Sequence, residues 1–284
     1  MIIRTSPIMD GSQQASVGGA ARAGSVNGCR MEPQSPADGV PKATPQENAQ
    51  AAHRCPQFQL CQRWMRARLK AGLREQDDDL TFNPGHDVCY CHGGCAERHA
   101  DCAERGGKRY GVPKGWSAFG LAIDERQFRR AREGGRVFES WHVAFHGTTL
   151  HAITKILNGN WELLVPSKQN PVRRGHIQQP FQRQNAHTGA EENFDPLQIF
   201  TSPSIRYCAA QDSDGDYFYC ERDEFEGRYF IVALQAMQAP DSYGIGQPTT
   251  VGPEEEIPEV DPLFDSTELE YYTRDRPSVK VRCR

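Results

Sequence analysis

The stretch Trp141-His142-Val143-Ala144-Phe145-His146-Gly147-Thr148 runs apolar and aromatic, then stops at a histidine, a glycine and a hydroxyl. An imidazole offers a ligand a donor or an acceptor. The bare backbone of Gly147 would let a ligand approach where a side chain would block it. Ile199-Phe200-Thr201-Ser202-Pro203-Ser204 repeats the pattern, apolar into hydroxyls, with Tyr207 three residues further on. Thr267-Glu268-Leu269-Glu270-Tyr271-Tyr272 places two carboxylates on a strand-like alternation. Three such strand ends suggest one cleft with a histidine, glycine backbone, hydroxyls, an aromatic ring and a carboxylate pair, which suits a polyhydroxylated ligand. A phosphate-gripping glycine loop of the G-x-G-x-x-G or P-loop type is lacking. Nothing local supports Cys208 or Cys220 as a thiol nucleophile.

A second reactive stretch is His86-Asp87-Val88-Cys89-Tyr90-Cys91-His92-Gly93-Gly94-Cys95, followed by His99 and Cys102. Zinc takes four such ligands in a tetrahedron at about 2.0 to 2.3 Å, and Cys89, Cys91, Cys95 and Cys102 are the expected set. The C-x-C-x3-C spacing is not a standard knuckle, and the alternative is a tight loop of small buried hydrophobes. Among the 10 cysteines these are bunched while Cys29, Cys208, Cys220 and Cys283 are scattered. A disulfide framework would be spread more evenly, so reduced thiols are expected.

The elements that must hold these groups fall into three regions of the 284-residue chain, which is long enough for one large or two small domains. A hydrophobic content of 37 % and a mean hydropathy of -0.69 suggest that part of it is unpacked. Residues 1–53 lack Phe, Tyr and Trp and show no period. They read as a disordered leader, either a flexible tail or a segment recognised by a bacterial export machine. Residues 54–135 read as an N-terminal module. It has an amphipathic helix over Gln57 to Leu73 with a basic outer face, an acidic run Asp77-Asp78-Asp79, the cysteine loop, a turn at Gly115-Trp116 and a charged helix over Asp124 to Glu133. Residues 136–284 read as the catalytic domain. Its expected elements are a strand over Phe138 to Phe145, a helix over Thr149 to Leu157 capped by Thr148 or Thr149, and a buried strand over Arg228 to Gln235. Short strands over Glu268 to Thr273 and Ser278 to Val281 close the domain. The irregular stretch 166–198 reads as a loop that closes over ligand or touches a partner, and Pro240 to Pro262, with Glu254, Glu255, Glu256 and Glu259, as a crossing loop.

A net charge of -4 and a pI near 6.2 argue against nucleic-acid binding. No apolar run approaches about 18 residues, so neither a membrane span nor a secretory signal peptide is expected.

On these residues the chain resembles the PARP-like ADP-ribosyltransferases, whose strands carry H-G-[ST], then an aromatic-containing strand followed by S-x-x-Y, then a catalytic Glu. Phe145-His146-Gly147-Thr148, Ile199 through Tyr207, and Glu268-Leu269-Glu270 stand in that order, and the resemblance covers about residues 140 to 284. Phe200 stands where the H-Y-E class has its tyrosine. Thr201-Ser202-Pro203-Ser204 and Glu268-x-Glu270 are closer to the arginine-modifying class. More narrowly, the Cys-Tyr-Cys cluster, the Pro-x-Gly-Trp turn, Trp-His-Val-Ala-Phe-His-Gly-Thr, Thr-Ser-Pro-Ser-Ile and Glu-Leu-Glu-Tyr are similar to the CteC-like bacterial effectors. Those ADP-ribosylate host ubiquitin on threonine.

The resemblance implies an α+β fold, an ADP-ribosyltransferase-like split β-sandwich, and mono-ADP-ribosyl transfer from NAD+ to a threonine hydroxyl of ubiquitin, which would block ubiquitination. It also implies secretion by a bacterial export system into the host cytosol; a monomer is expected. Glu270 would stabilise the oxocarbenium-like sugar, and Glu268, Asp261 or Asp265 would orient or deprotonate the acceptor. His146 would contact a ribose, the Gly147 backbone would hold the nicotinamide amide, with Thr148 and Phe200 beside it, Ser202 would brace the ribose or Glu270, and Tyr207 would stack on the nicotinamide. The competing reading is an inactive, zinc-stabilised module that docks ubiquitin. An ADP-ribose hydrolase fits poorly, for want of a metal-carboxylate constellation.

Overall fold

The computed structural model describes residues 1–7, 43–69, 72–73, 82–91, 94–122, 137–159, 161–167, 179–212, 214–248 and 260–281. In chain order these form β1 (Ile2–Pro7), α1 (Pro45–Arg54), α2 (Pro56–Arg68), β2 (Val88–Cys89), β3 (Cys102–Arg105), β4 (Lys108–Gly111), β5 (Ser117–Ala118), α3 (Val137–Ser140), β6 (His142–Gly147) and α4 (Leu150–Asn158). Then come β7 (Phe181–Gln184), β8 (Glu191–Phe194), β9 (Ile199–Thr201), α5 (Ile205–Cys208), β10 (Asp223–Phe225), β11 (Arg228–Gln238), β12 (Gly244–Gly246), β13 (Glu270–Thr273) and β14 (Val279–Val281). The result is a mixed α+β molecule with antiparallel pairings and few helices.

β11 is the spine. Arg-Tyr-Phe-Ile-Val-Ala-Leu-Gln-Ala-Met-Gln is rich in β-branched and aromatic residues, which fit a pleated, buried surface. Along one edge it pairs with β1 and then β14; along the other, with β10 and then β6. Alternate residues serve two cores, as a strand covered on both faces requires. Phe230, Val232, Leu234 and Ala236 join α2 and α4, whereas Ile231, Ala233 and Met237 join Val143, Phe145 and Trp116. A smaller sheet, β12-β13-β9, meets the large one where Phe145 and Ser202 form an isolated bridge.

The leader expected over residues 1–53 is corrected at both ends. Ile2–Pro7 is an interior strand, with Ile2 opposite Ala233 and Ile3 opposite Val232 on one side and β5 on the other. Pro45–Arg54 is a helix opened by a Thr44–Glu47 capping box. Two isoleucines suffice for a strand when a long partner already exists, a tertiary effect that local composition does not register. Residues on the two sides of the boundary expected near residue 135 pack together. Phe58, Trp64, Phe119 and Leu121 share one core with Ile153, Ile156 and Val232, and Trp64 stacks on Phe230 at 5.4 Å.

α2 ends at Arg68. Its basic face is partly used internally: Arg63 forms a two-bonded pair with Glu226, and Arg68 pairs with Asp223. β6 starts at His142 because Val137–Ser140 takes a helical turn. Thr149 is the cap of α4, its hydroxyl accepting from the Ala152 amide at 3.1 Å. The stretch expected to be irregular contains the β7–β8 hairpin, and Ser266–Glu268 is a helical turn ahead of β13. The Asp124 to Glu133 helix, the acidic run at 77–79 and the glutamates at 254–259 lie outside the described residues.

Candidate functional site

The junction of the two sheets brings the three motif-bearing segments together. Phe145 and Ser202 exchange backbone bonds of 2.7 and 2.9 Å. β13 faces β9 with Tyr271 opposite Thr201 and Tyr272 opposite Phe200, so the same register sets Glu270 beside Ser202. The His146 Nδ1–H donates to the Phe200 carbonyl at 2.8 Å, which fixes the tautomer and leaves Nε2 as the acceptor. Burial pushes the His146 imidazolium pKa down, only partly offset by that carbonyl; the ring is neutral at pH 7.

Glu270 is 1 % exposed. Tyr207 Oη donates to its Oε1 at 2.5 Å, and Tyr219 Oη donates to Tyr207 Oη. The two tyrosine rings lie 4.9 Å apart. Burial, then the nearby Glu270 charge, drives the Tyr207 phenol well above its ordinary range, so it stays a donor. The arrangement is a buried carboxylate fed by a two-hydroxyl chain, beside a neutral imidazole.

Tyr207 is held there by a local capping device. Ser204 caps α5, its Oγ accepting from the Tyr207 amide at 3.1 Å and donating to Asp261 Oδ2 at 2.6 Å. Asp261 Oδ1 accepts from the Leu263 amide, and Ser202 Oγ from the Ser204 amide. Asp261, expected at the acceptor, is 2 % exposed and engaged through both oxygens, and in this arrangement it braces the Tyr207 turn. Glu268 sits half-buried in the turn before β13, and Asp265 caps that turn through the Thr267 amide.

Packing alone requires a glycine at 147. A Cβ there would meet Tyr219 Cβ at 2.7 Å, Cys208 O at 2.9 Å and Cys220 Sγ at 3.2 Å. The bare backbone is thus packed by the protein's own Tyr219. Thr148 is buried beside it, and Phe200 packs 6.1 Å from Phe194. On the strand face that carries Glu270, Tyr272 contacts Glu192 and Asn185, while the Arg183 guanidinium lies 3.6 Å from the Phe194 ring. The β7–β8 hairpin therefore covers this face of the small sheet.

Cys55, Cys89, Cys91 and Cys95 form a second cluster, with all four sulfurs within 4.8 Å of one another, and this group could hold a metal ion. Cys55–Cys91 and Cys89–Cys55 are 3.2 and 3.4 Å apart, too far for disulfides. The expected ligand set is corrected in one member. Cys102 opens β3 and is disulfide-bonded, which also corrects the expectation of uniformly reduced thiols, and Cys55 takes its place. Burial pushes the Cys91 thiol up to about 12 and raises Cys89 as well. At Cys55 burial acts upward too, but the Phe58 amide and the thiols of Cys91 and Cys89 bring it below its usual value.

Tyr219 and Cys55 are the residues that motif reading missed. The aromatic run Tyr217-Phe218-Tyr219 after the turn Asp212 to Asp216 was a usable signal for the first, and a cysteine before Pro56, at a helix start, for the second.

No family model matches the chain, and no solved structure matches it.

Proposed function

We propose that this protein is an NAD-dependent mono-ADP-ribosyltransferase built on a split β-sandwich. The observation that carries this reading is the buried Glu270 carboxylate, set by strand register beside Ser202 and bonded by Tyr207 at 2.5 Å. Breaking the nicotinamide–ribose bond leaves positive charge on the sugar, and a carboxylate preorganised out of water stabilises that charge far better than one in solvent. The electron pair leaves with nicotinamide, the acceptor hydroxyl forms the new bond to the sugar, and its proton passes to a base. Half-buried Glu268 is the candidate for that role, since Asp261 is engaged through both oxygens and Asp265 caps the turn before β13. His146 Nε2 accepts from a ribose hydroxyl, and Tyr207 offers its ring to nicotinamide. Ubiquitin, through a threonine hydroxyl, is the first acceptor to try, and delivery of the protein into a host cytosol goes with it; both rest on the resemblance to the CteC-like effectors.

The test is incubation with NAD+ labelled on the adenylate, with and without ubiquitin, for the wild type and Glu270→Gln. Label transfer that depends on Glu270 supports the proposal. Absence of both transfer and nicotinamide release overturns it.

One observation favours a second reading, a binding module without catalysis: Tyr219 packs against Gly147, where the nicotinamide would lie. Tyr219→Ala separates the two. A gain in nicotinamide release shows a site that Tyr219 covers and must vacate. Inactivity in both chains, together with ubiquitin binding, supports the binding module.

A further inference from the structure

We propose that Cys55, Cys89, Cys91 and Cys95 bind one zinc ion in a closed structural centre that fastens the α1–α2 junction to the edge of the large sheet. This is independent of the transferase reading. Metal–sulfur bonds of about 2.3 Å place tetrahedral ligands about 3.8 Å apart, and the four sulfurs lie within 4.8 Å of one another, with the closest contacts at 3.2 and 3.4 Å. Disulfides would instead draw the sulfurs into bonded pairs near 2.05 Å.

The surroundings suit thiolates. Cys55 is the N-cap residue of α2. The amide of Cys91 faces the Cys89 sulfur. Amides directed at ligating sulfurs orient them and carry part of their charge, and the start of α2 favours the negative end. Four thiolates on one Zn2+ leave a net charge of about -2, and Arg98 lines a small cleft with Cys89 and Cys95. The loop geometry accommodates the grip: Gly94 has a φ of +93°, Cys95 turns into a short helical segment, and the Ala96 amide returns to the Cys91 carbonyl at 3.0 Å. All four ligands are protein sulfurs, so no position is open to water or substrate, the mark of a structural rather than catalytic zinc.

The centre would add a covalent tie to a junction that the His53–Asp87 pair at 2.9 Å and the shared core of Phe58, Cys89 and Phe119 already bring together. β2 is only two residues long and pairs with β5 alone, while Cys55 lies between two helices 34 residues earlier. With the ion bound, that junction and that edge become one unit.

Elemental analysis of the full chain, purified without added metal, tests the inference. The expected result is about one zinc per chain, lost by more than tenfold in Cys55→Ser and Cys91→Ser and kept in Cys102→Ser and in Cys61→Ala, the latter changing a buried thiol of α2. Should the ligand variants fail to fold, cobalt(II) added to the metal-stripped wild type gives the reading. Intense visible bands of tetrahedral thiolate coordination support the centre, and the weak spectrum of an oxygen-ligated ion overturns it. A folded wild type that takes up neither metal, or zinc that depends on Cys102 and not Cys55, also overturns it.

Discussion

The cysteine cluster and the Glu270 site are both small groups of polar side chains largely withdrawn from water, but the chain assembles them in opposite ways. Three of the four thiols come from one seven-residue stretch, Cys89 to Cys95, and only Cys55 arrives from a distance. At the Glu270 site the five participants come from four separate segments: His146 from β6, Ser202 and Tyr207 from the stretch after β9 that leads into α5, Tyr219 from a loop, and Glu270 from β13. A loop-built site depends on what binds it, since the thiols alone have no reason to stay together. A site built by strand register depends on the sheets and survives the loss of any one side chain that does not support them. Metal removal is therefore expected to disturb structure, and pocket mutations to disturb chemistry.

The largest effect that can break this contrast is removal of the ion. Structural zinc in small peptides contributes about 10–16 kcal/mol. Chelation under reducing conditions is expected to cost on the order of 5 kcal/mol or more here, read as a lower and broader thermal transition. If stripped protein melts like the loaded form, the contrast is gone. Next, Glu270→Gln should lower NAD+ turnover by about 10²- to 10³-fold while leaving zinc content and melting temperature nearly unchanged. A large fall in stability would make Glu270 a structural residue instead. Asp261→Ala is intermediate. It strands the buried Ser204 hydroxyl at a cost of about 1–3 kcal/mol, measured by urea unfolding, and should lower turnover less than Glu270→Gln does.

The smallest effect is the response to pH. The folded-state pKa of His146 lies below its ordinary value because of burial, so the native ring resists a proton that the unfolded chain accepts near pH 6.5. Its contribution to stability is complete above about pH 6.5 and is lost as pH falls below that toward the depressed native value. Urea midpoints at pH 7.5 and 5.5 should differ in the wild type, and by less in His146→Gln. His142 is shifted the same way, by burial first, so part of the slope will remain.

This difference in assembly decides how much the sequence could reveal. The helix over Leu150–Asn158 and the strand over Arg228–Gln238 announced themselves because their periodicity and caps are local. Three of four thiols were found for the same reason. Cys55 was missed because nothing local ties it to a loop 34 residues away. β1 was missed because two isoleucines in polar surroundings form a strand only when β11 is there to receive them. At the Glu270 site the sequence marked Glu270 and Tyr207 but not their hydrogen bond, and nothing in it showed that both oxygens of Asp261 are engaged. At Gly147 the glycine was visible, and its Tyr219 neighbour was not.

The place of β1 has a consequence in time. Its two neighbours in the sheet are made of residues 117–118 and 228–238, so synthesis must run more than two hundred residues past Ile2 before the slot for it exists. Until then a nascent chain holds an unpaired strand segment that any exposed strand edge could capture. A peptide with the sequence of residues 1–7, added during refolding, should compete for that slot and slow recovery of the native sheet.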